Sequence, residues 1–225
     1  MNAATQQKRR TLLPEMEGPM ARWYTRQRGT ESQLSAYARQ ARELTAGLAT
    51  GSAVLEVAPG PGYLAVEMAK LGRVTVSGLD ISHTMVQIAA GNARQAGVDV
   101  DFRHGDASAM PFAADSFDLI VCQAAFKNFT EPVRALDEMY RVLRAGGTAV
   151  IQDLSSDASP TDIADEVKRM ELSATNAFFT RSTLAMLRRR AHSPAEFERL
   201  VAQSAFRTGE IRPEGVGLEV RLHRS

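Results

Sequence analysis

The sequence has a single cysteine, a single tryptophan and almost no net charge: 27 Lys and Arg stand against 26 Asp and Glu in 225 residues, a formal +1. One cysteine excludes an internal disulfide and any multi-cysteine metal site, and it agrees with a reducing compartment, so the cytoplasm is the expected location. Cys122 lies in Leu119-Ile120-Val121-Cys122, which reads as a buried structural thiol. Balanced charge gives no global pull toward nucleic acid or an anionic membrane, and either partner would need a local patch. The basic start MNAATQQKRR meets Thr11, Leu12, Leu13 and Pro14, with no apolar run of the length a leader or a membrane span needs. The expected partner is a small molecule, with neither nucleic acid nor membrane engaged, and the expected assembly is a monomer or a homodimer. A chain of this length can bury roughly 70 to 75% of its unfolded surface, so one main core is expected.

What the sequence does contain is an alternation. After a polar start and a helical preface through Leu34, Ala38, Ala41 and Leu48, the run Ala53-Val54-Leu55-Glu56-Val57-Ala58 reads as a buried strand. Pro59-Gly60-Pro61-Gly62 closes it as a tight turn, and Leu64, Ala65, Met68 and Leu71 continue at helical spacing up to Gly72. The pattern predicts further strands at 74–79, 98–102, 117–122 and 148–152. Between them fall a helix capped by Ser82 or Thr84 and another entered at Thr130 and Pro132 and ending at Gly146-Gly147. Strands alternating with helices imply a parallel sheet covered on both faces. The alternation breaks at 155–191, which reads as an inserted cap with a helix on Ile163, Val167 and Met170 and an Arg-rich end, Arg188-Arg189-Arg190. Ser193-Pro194-Ala195-Glu196 is a capping box, and strands near 209–212 and 218–222 close the chain.

Chemistry concentrates at the first turn. Gly60-Pro61-Gly62-Tyr63-Leu64-Ala65 has the G-x-G-x-x-A form, and Asp80 ends the next strand twenty positions later. Glycines let a ligand approach the backbone, the following helix offers free N–H groups, and an acid at that strand end can accept from ribose hydroxyls. Glu56 inside an apolar strand is costly to bury without a donor or cation, which marks it as functional. His104-Gly105-Asp106-Ala107 followed by Met110-Pro111-Phe112 places an acid and apolar groups where an adenine amine and ring faces can be met.

On these segments the chain resembles the class I S-adenosylmethionine-dependent methyltransferases, in the small-molecule group related to the ubiquinone and menaquinone C-methyltransferases. The resemblance runs through Val54 to Gly62, Gly78-Leu79-Asp80-Ile81-Ser82, Gly105-Asp106-Ala107, Asp115 to Ile120 and Glu138 to Gly147. It implies a Rossmann-like, doubly wound α/β fold with a seven-stranded, mostly parallel sheet and a C-terminal antiparallel hairpin; with the helical preface and the cap read above, the expected organisation is a helical extension at 1–48 and a methyltransferase domain at 49–225 that contains the cap at 155–191. It also implies S-adenosylmethionine as cofactor. Glu56, Ala58, Gly60 and Gly62 would form the cofactor loop, Asp80 and Ile81 the ribose side, Asp106 and Ala107 the adenine side, and Gln123 a neighbouring wall. Ala58 stands where the family carries glycine, and Pro59 after it biases it toward an extended conformation.

A methyl sulfonium is already activated, so orientation of the acceptor is the main catalytic demand. Acceptor contacts are expected after the fourth and fifth strands, from Gln123, the Phe126-Lys127-Asn128-Phe129 segment and Asp153. Asn128 and Asp153 are the candidate catalytic residues, Asp153 as a base, while Lys127 most simply reads as solvated. Trp23, Tyr24 and Tyr37 could supply an aromatic face to the sulfonium. His83, His104, His192 and His223 show no ligand spacing, so no metal is expected. A nicotinamide-dependent oxidoreductase shares the glycine turn and Asp80, but no Tyr-x-x-x-Lys pair is present. A cofactor-binding regulatory subunit without transfer is the other alternative.

Overall fold

In the computed structural model, which describes residues 16–170 and 174–225, the alternation becomes seven strands and eight α-helices. In chain order these are α1 (Gly18–Arg28), α2 (Glu31–Thr45), β1 (Ser52–Val57), α3 (Tyr63–Lys70), β2 (Val74–Asp80), α4 (His83–Ala96), β3 (Asp101–His104) and β4 (Phe117–Gln123). There follow α5 (Pro132–Val142), β5 (Leu143–Leu154), α6 (Pro160–Arg169), α7 (Ala174–Arg188), α8 (Pro194–Gln203), β6 (Glu210–Glu214) and β7 (Gly217–His223). The sheet order is β3-β2-β1-β4-β5-β7-β6. The first five strands run parallel, and β7 pairs antiparallel with both β5 and β6. The chain leaves β1 toward β2 and β3, then returns to place β4 on the other side of β1, so the crevice at the carboxyl ends of β1 and β4 is the topological switch point.

Strand alternation divides the core. Leu55, Val57, Ile120, Cys122 and Ile151 face α5 and α8 through Leu136, Met139, Phe197 and Val201. Val54, Val76, Leu119, Val121 and Val150 face α2 and α3 through Ala41, Leu64, Ala65 and Met68. Both sets are almost wholly buried, each large side chain contributing about 1.5–3 kcal/mol by leaving water. Cys122 is fully buried, and that burial pushes its thiol well above the ordinary range, consistent with a packing role.

Several elements differ from the sequence reading. β3 lies at 101–104 rather than 98–102: Gly97 ends α4 with a left-handed backbone, and β2 pairs from Ser77↔Asp101 onward. α5 ends at Val142, so Gly146-Gly147 lies inside a longer β5, where Gly146 has φ +80° and the register against β4 shifts between Phe117 and Leu119. α5 is entered from Glu131 with no side-chain cap, not from Thr130. Met170, expected on an apolar helix face, is 44% exposed at the end of α6. Ser82 caps α4, accepting the N–H of Met85, and Ser193 and Glu196 form the expected capping box. The polar first residues lie outside the described part of the chain.

Candidate active site

The turn after β1 owes its shape to three left-handed residues, Ala58 (φ 55°), Gly60 (φ 54°) and Gly62 (φ 75°). Ala58 was expected to be extended because it precedes proline, and the structure corrects that. Its N–H donates to Leu79 O at 2.7 Å, continuing the β1–β2 ladder while the chain turns away. The two glycines serve different ends. A Cβ on Gly62 would come within 2.7 Å of Phe102 and 2.8 Å of Ala89, so this glycine lets the turn pack closely. A Cβ on Gly60 would find nothing nearer than Tyr24 at 4.0 Å, so here it is the backbone angle and the open side that matter.

Beneath the turn is a cavity of about 50 Å³, lined by Glu56, Ala58, Gly60, Gln123 and Ala124 from the sheet end and by Tyr24, Arg28 and Tyr37 from α1 and α2. Glu56 is 3% exposed. It accepts from the Ala65 N–H in the first turn of α3, yet its Oε2 has no hydrogen-bond partner. Desolvation pushes its carboxyl from an ordinary 4.5 up to about 8, against the pull of Ala65 and with a further push from Asp80. Arg28 lies 5.9 Å from the ring centroids of both Tyr24 and Tyr37. Neither Glu56 nor Arg28 forms an ion pair among the described residues, so the cavity wall carries an acid and a cation that do not neutralise each other.

Asp80, at the end of β2, is 7% exposed and ties the loops together. Its Oδ2 accepts from the Gly60 N–H and its Oδ1 from the Ser82 N–H, both at 2.9 Å. Burial raises its pKa against those two bonds. Its own carbonyl accepts the Gly105 N–H at 3.0 Å, which draws the 105–107 loop alongside. Asp106 there is exposed and accepts from the Ser108 N–H and Oγ, each at 2.8 Å, while Ala107 packs partly into the core. Ile81 is 67% exposed beside them. The turn at Gly60, the end of β2 at Asp80–Ser82 and the 105–107 loop thus form one continuous rim. Glu17 borders it: its carboxylate accepts from Thr84 at the start of α4, and the Ser82 hydroxyl donates to Met16 O at 2.7 Å, so α1 is moored across the rim.

A second group lies at the ends of β4 and β5. Lys127, read as solvated from sequence, is buried instead. Its Nζ lies 2.8 Å from Asp153 Oδ1 and also donates to Ala124 O, and its backbone N–H donates to Asp153 Oδ2 at 2.9 Å. Asp153 takes a further bond from the Leu154 N–H. Asn128 follows on the 3-10 turn Phe126–Asn128 with an exposed side chain. His192 packs against Phe126 and Phe197, and its burial keeps its pKa below the usual value, so it is neutral near pH 7. Gln123 donates to Gln152 at 3.0 Å and lines the cavity, and Ala124 belongs to both groups.

Sequence reasoning brought Tyr24 and Tyr37 to the site, whereas Trp23 is 58% exposed on α1. It did not select Arg28, although Arg28 lies one helical turn after Tyr24 and so shares its face. Among the described residues, no group of three or more His, Cys, Asp or Glu is placed to hold a metal ion.

Residues 55–151 match the family model described as a methyltransferase domain. The chain is similar to the ubiquinone/menaquinone biosynthesis C-methyltransferase UbiE of Bdellovibrio bacteriovorus, 37% identical over 106 residues that cover 47% of this chain and 45% of that protein. It is also similar to the demethylmenaquinone methyltransferase of Clavibacter sepedonicus, 38% identical over 111 residues covering 49% and 44%. The match therefore spans under half the length of these curated relatives. A SAM-dependent methyltransferase from Aquifex aeolicus shares the fold, with a TM-score of 0.68 over 89% of this chain and 96% of that one at 18% identity. The [4+2]-cyclase SpnF aligns at 29% identity and a TM-score of 0.53 over 58% and 49%.

Proposed function

We propose that this chain, whose residues 55–151 form a class I S-adenosylmethionine-dependent methyltransferase domain, transfers a methyl group to a small-molecule acceptor. The observation that carries the reading is Glu56: a sealed carboxylate with an unpartnered oxygen, at the switch-point cavity, next to a glycine turn and an acid at the end of β2. A buried polar atom left without a partner costs about 1–3 kcal/mol, and a ligand ammonium would relieve it. S-adenosylmethionine supplies a methyl group on a sulfonium and carries such an ammonium.

Under this reading Glu56 holds the ammonium, Ala58, Gly60 and Gly62 shape the loop around the ligand, and Asp80 receives the ribose hydroxyls. Asp106, Ala107 and Ile81 border the adenine, and Gln123 walls the cavity toward the acceptor side. Arg28 joins them as the group facing the ligand carboxylate. Tyr24 and Arg28 from α1 close the cavity over Glu56, and the rest of the ligand would lie along the rim outside it. Residues 1–48 are assigned as an N-terminal extension to the methyltransferase unit at 49–225, within which 155–191 is a cap insert.

Asn128 is assigned to acceptor contact. Asp153, with its oxygens taken by Lys127 and Leu154, serves as a positioning residue that fixes the turn carrying Asn128, and orientation alone can supply roughly 7–11 kcal/mol of barrier reduction. The first acceptor class to assay is a quinone, since one relative is named a ubiquinone/menaquinone biosynthesis C-methyltransferase and the other a demethylmenaquinone methyltransferase. Incubation of the purified protein with methyl-labelled S-adenosylmethionine and demethylmenaquinone, or a metabolite extract, is expected to move label to a small product. Asp80→Ala is expected to weaken cofactor binding by about 1–3 kcal/mol. Absence of S-adenosylmethionine binding contradicts the reading. Binding without label transfer would favour a non-transferring role.

A further inference from the structure

We infer that the outer face of α7 is a docking surface for an anionic lipid bilayer. α7 packs inward through Ala177 and Leu184 onto Ala158, Ile163 and Val167. Its large apolar residues do not all follow. Phe178 is 68% exposed, Phe179 63% and Met186 52%, and the two phenyl rings touch each other edge-on at 5.9 Å. At 100° per residue Phe178, Phe179 and Met186 fall within an arc of about 100°, so they form one apolar stripe.

The charge within α7 and the segment that follows it has one sign. From residue 172 to residue 195 the sequence contains no Asp or Glu but four arginines, Arg181, Arg188, Arg189 and Arg190. Arg181 and Arg189 are exposed, whereas Arg188 is partly committed to Ala158 O. The Arg189 and Arg190 N–H groups still donate to Met186 O and Leu187 O, which keeps the arginine cluster at the end of the stripe. Exposed aromatic and apolar side chains flanked by cations of their own segment fit the boundary between headgroups and acyl chains, where rings sit at the interface and cations meet lipid phosphates. A second copy of the same face would oppose arginine to arginine, so self-pairing is disfavoured. No helix among the described residues is long and apolar enough to cross a membrane, and the contact is accordingly in-plane. The balanced net charge of the whole chain conceals this local excess of cations, and the acids Asp162, Asp165 and Glu166 lie on α6, which packs against the inner face of α7.

The inference does not depend on the proposed reaction. It is tested by sedimenting the full chain with phosphatidylcholine vesicles made with and without phosphatidylglycerol. Retention is expected only on the anionic vesicles, and raised salt should release the protein. Phe178→Ser/Phe179→Ser should lower the partition at least tenfold, and Arg181→Gln/Arg189→Gln about 25-fold, near fivefold for each cation. Circular dichroism and binding of S-adenosylhomocysteine, both unchanged in the variants, separate a lost surface from a lost fold or cofactor site. Wild-type protein left in the supernatant overturns the inference, as does retention that both variants keep. A wild-type dimer that Phe178→Ser/Phe179→Ser converts to monomer, without vesicle binding, overturns it by showing that the face pairs with itself.

Discussion

Glu56 on β1 and Asp153 on β5 are both nearly sealed from solvent, at 3% and 7% exposure, but they are treated in opposite ways. Asp153 receives the Lys127 ammonium, the Lys127 N–H and the Leu154 N–H. Glu56, in the cavity wall, receives one backbone N–H and keeps a buried oxygen without a partner. A buried charge that is fully paired belongs to the architecture. A buried acid that keeps an unpartnered oxygen is a position at which a ligand cation would be stabilised. The carboxyl end of β5 is therefore closed by internal pairing, whereas that of β1 keeps an unpaired acid.

The sharpest way to break the contrast is to leave Asp153 as lonely as Glu56. Lys127→Met should cost about 3–5 kcal/mol of stability in urea unfolding, because an uncompensated charge stays buried. Lys127→Met/Asp153→Leu should recover most of that loss, and a single variant as stable as wild type would show the pair to be decorative.

Glu56 predicts a pH signature of comparable size. Its folded pKa, about 8, lies above its ordinary 4.5, so between these values the folded chain holds a proton the unfolded chain has released. The contribution is fully present below pH 4.5 and is lost as pH rises toward 8, by up to about 4–5 kcal/mol. Glu56→Gln should flatten that stretch of the stability curve of the ligand-free protein. Equal slopes in both proteins would place the carboxylate in a wetter setting.

The smallest effect concerns Ala58. A residue with a Cβ in the left-handed region costs about 1–2 kcal/mol, partly offset by glycine's greater unfolded freedom. Ala58→Gly should therefore raise the melting temperature, corresponding to about 0.5–1 kcal/mol. A lower melting temperature would mean that the methyl group contributes packing the backbone angle does not reveal.

These residues also mark where sequence was and was not informative. The strand, turn and helix around Glu56 and Gly60 were legible because apolar periodicity and glycine spacing are local signals, and Asp80 followed from its distance along the same unit. The conformation of Ala58 was not, since the β1–β2 ladder overrides the local bias imposed by Pro59. Lys127 was misread as solvated because its partner is 26 positions away and only the adjacency of β4 and β5 brings them together. Arg28 shows the same limit: its place in the cavity depends on how α1 crosses the rim, through Glu17 and Ser82, rather than on any motif around it.

Calorimetric titration of S-adenosylmethionine into the wild-type protein and Glu56→Gln at pH 7, in buffers of different ionisation enthalpy, tests the account most directly. Wild type should bind with release of about one proton as the ligand ammonium returns Glu56 to its charged form, and the variant should bind more weakly without that release. Absence of binding by the wild type, or the same proton count in both proteins, would contradict it.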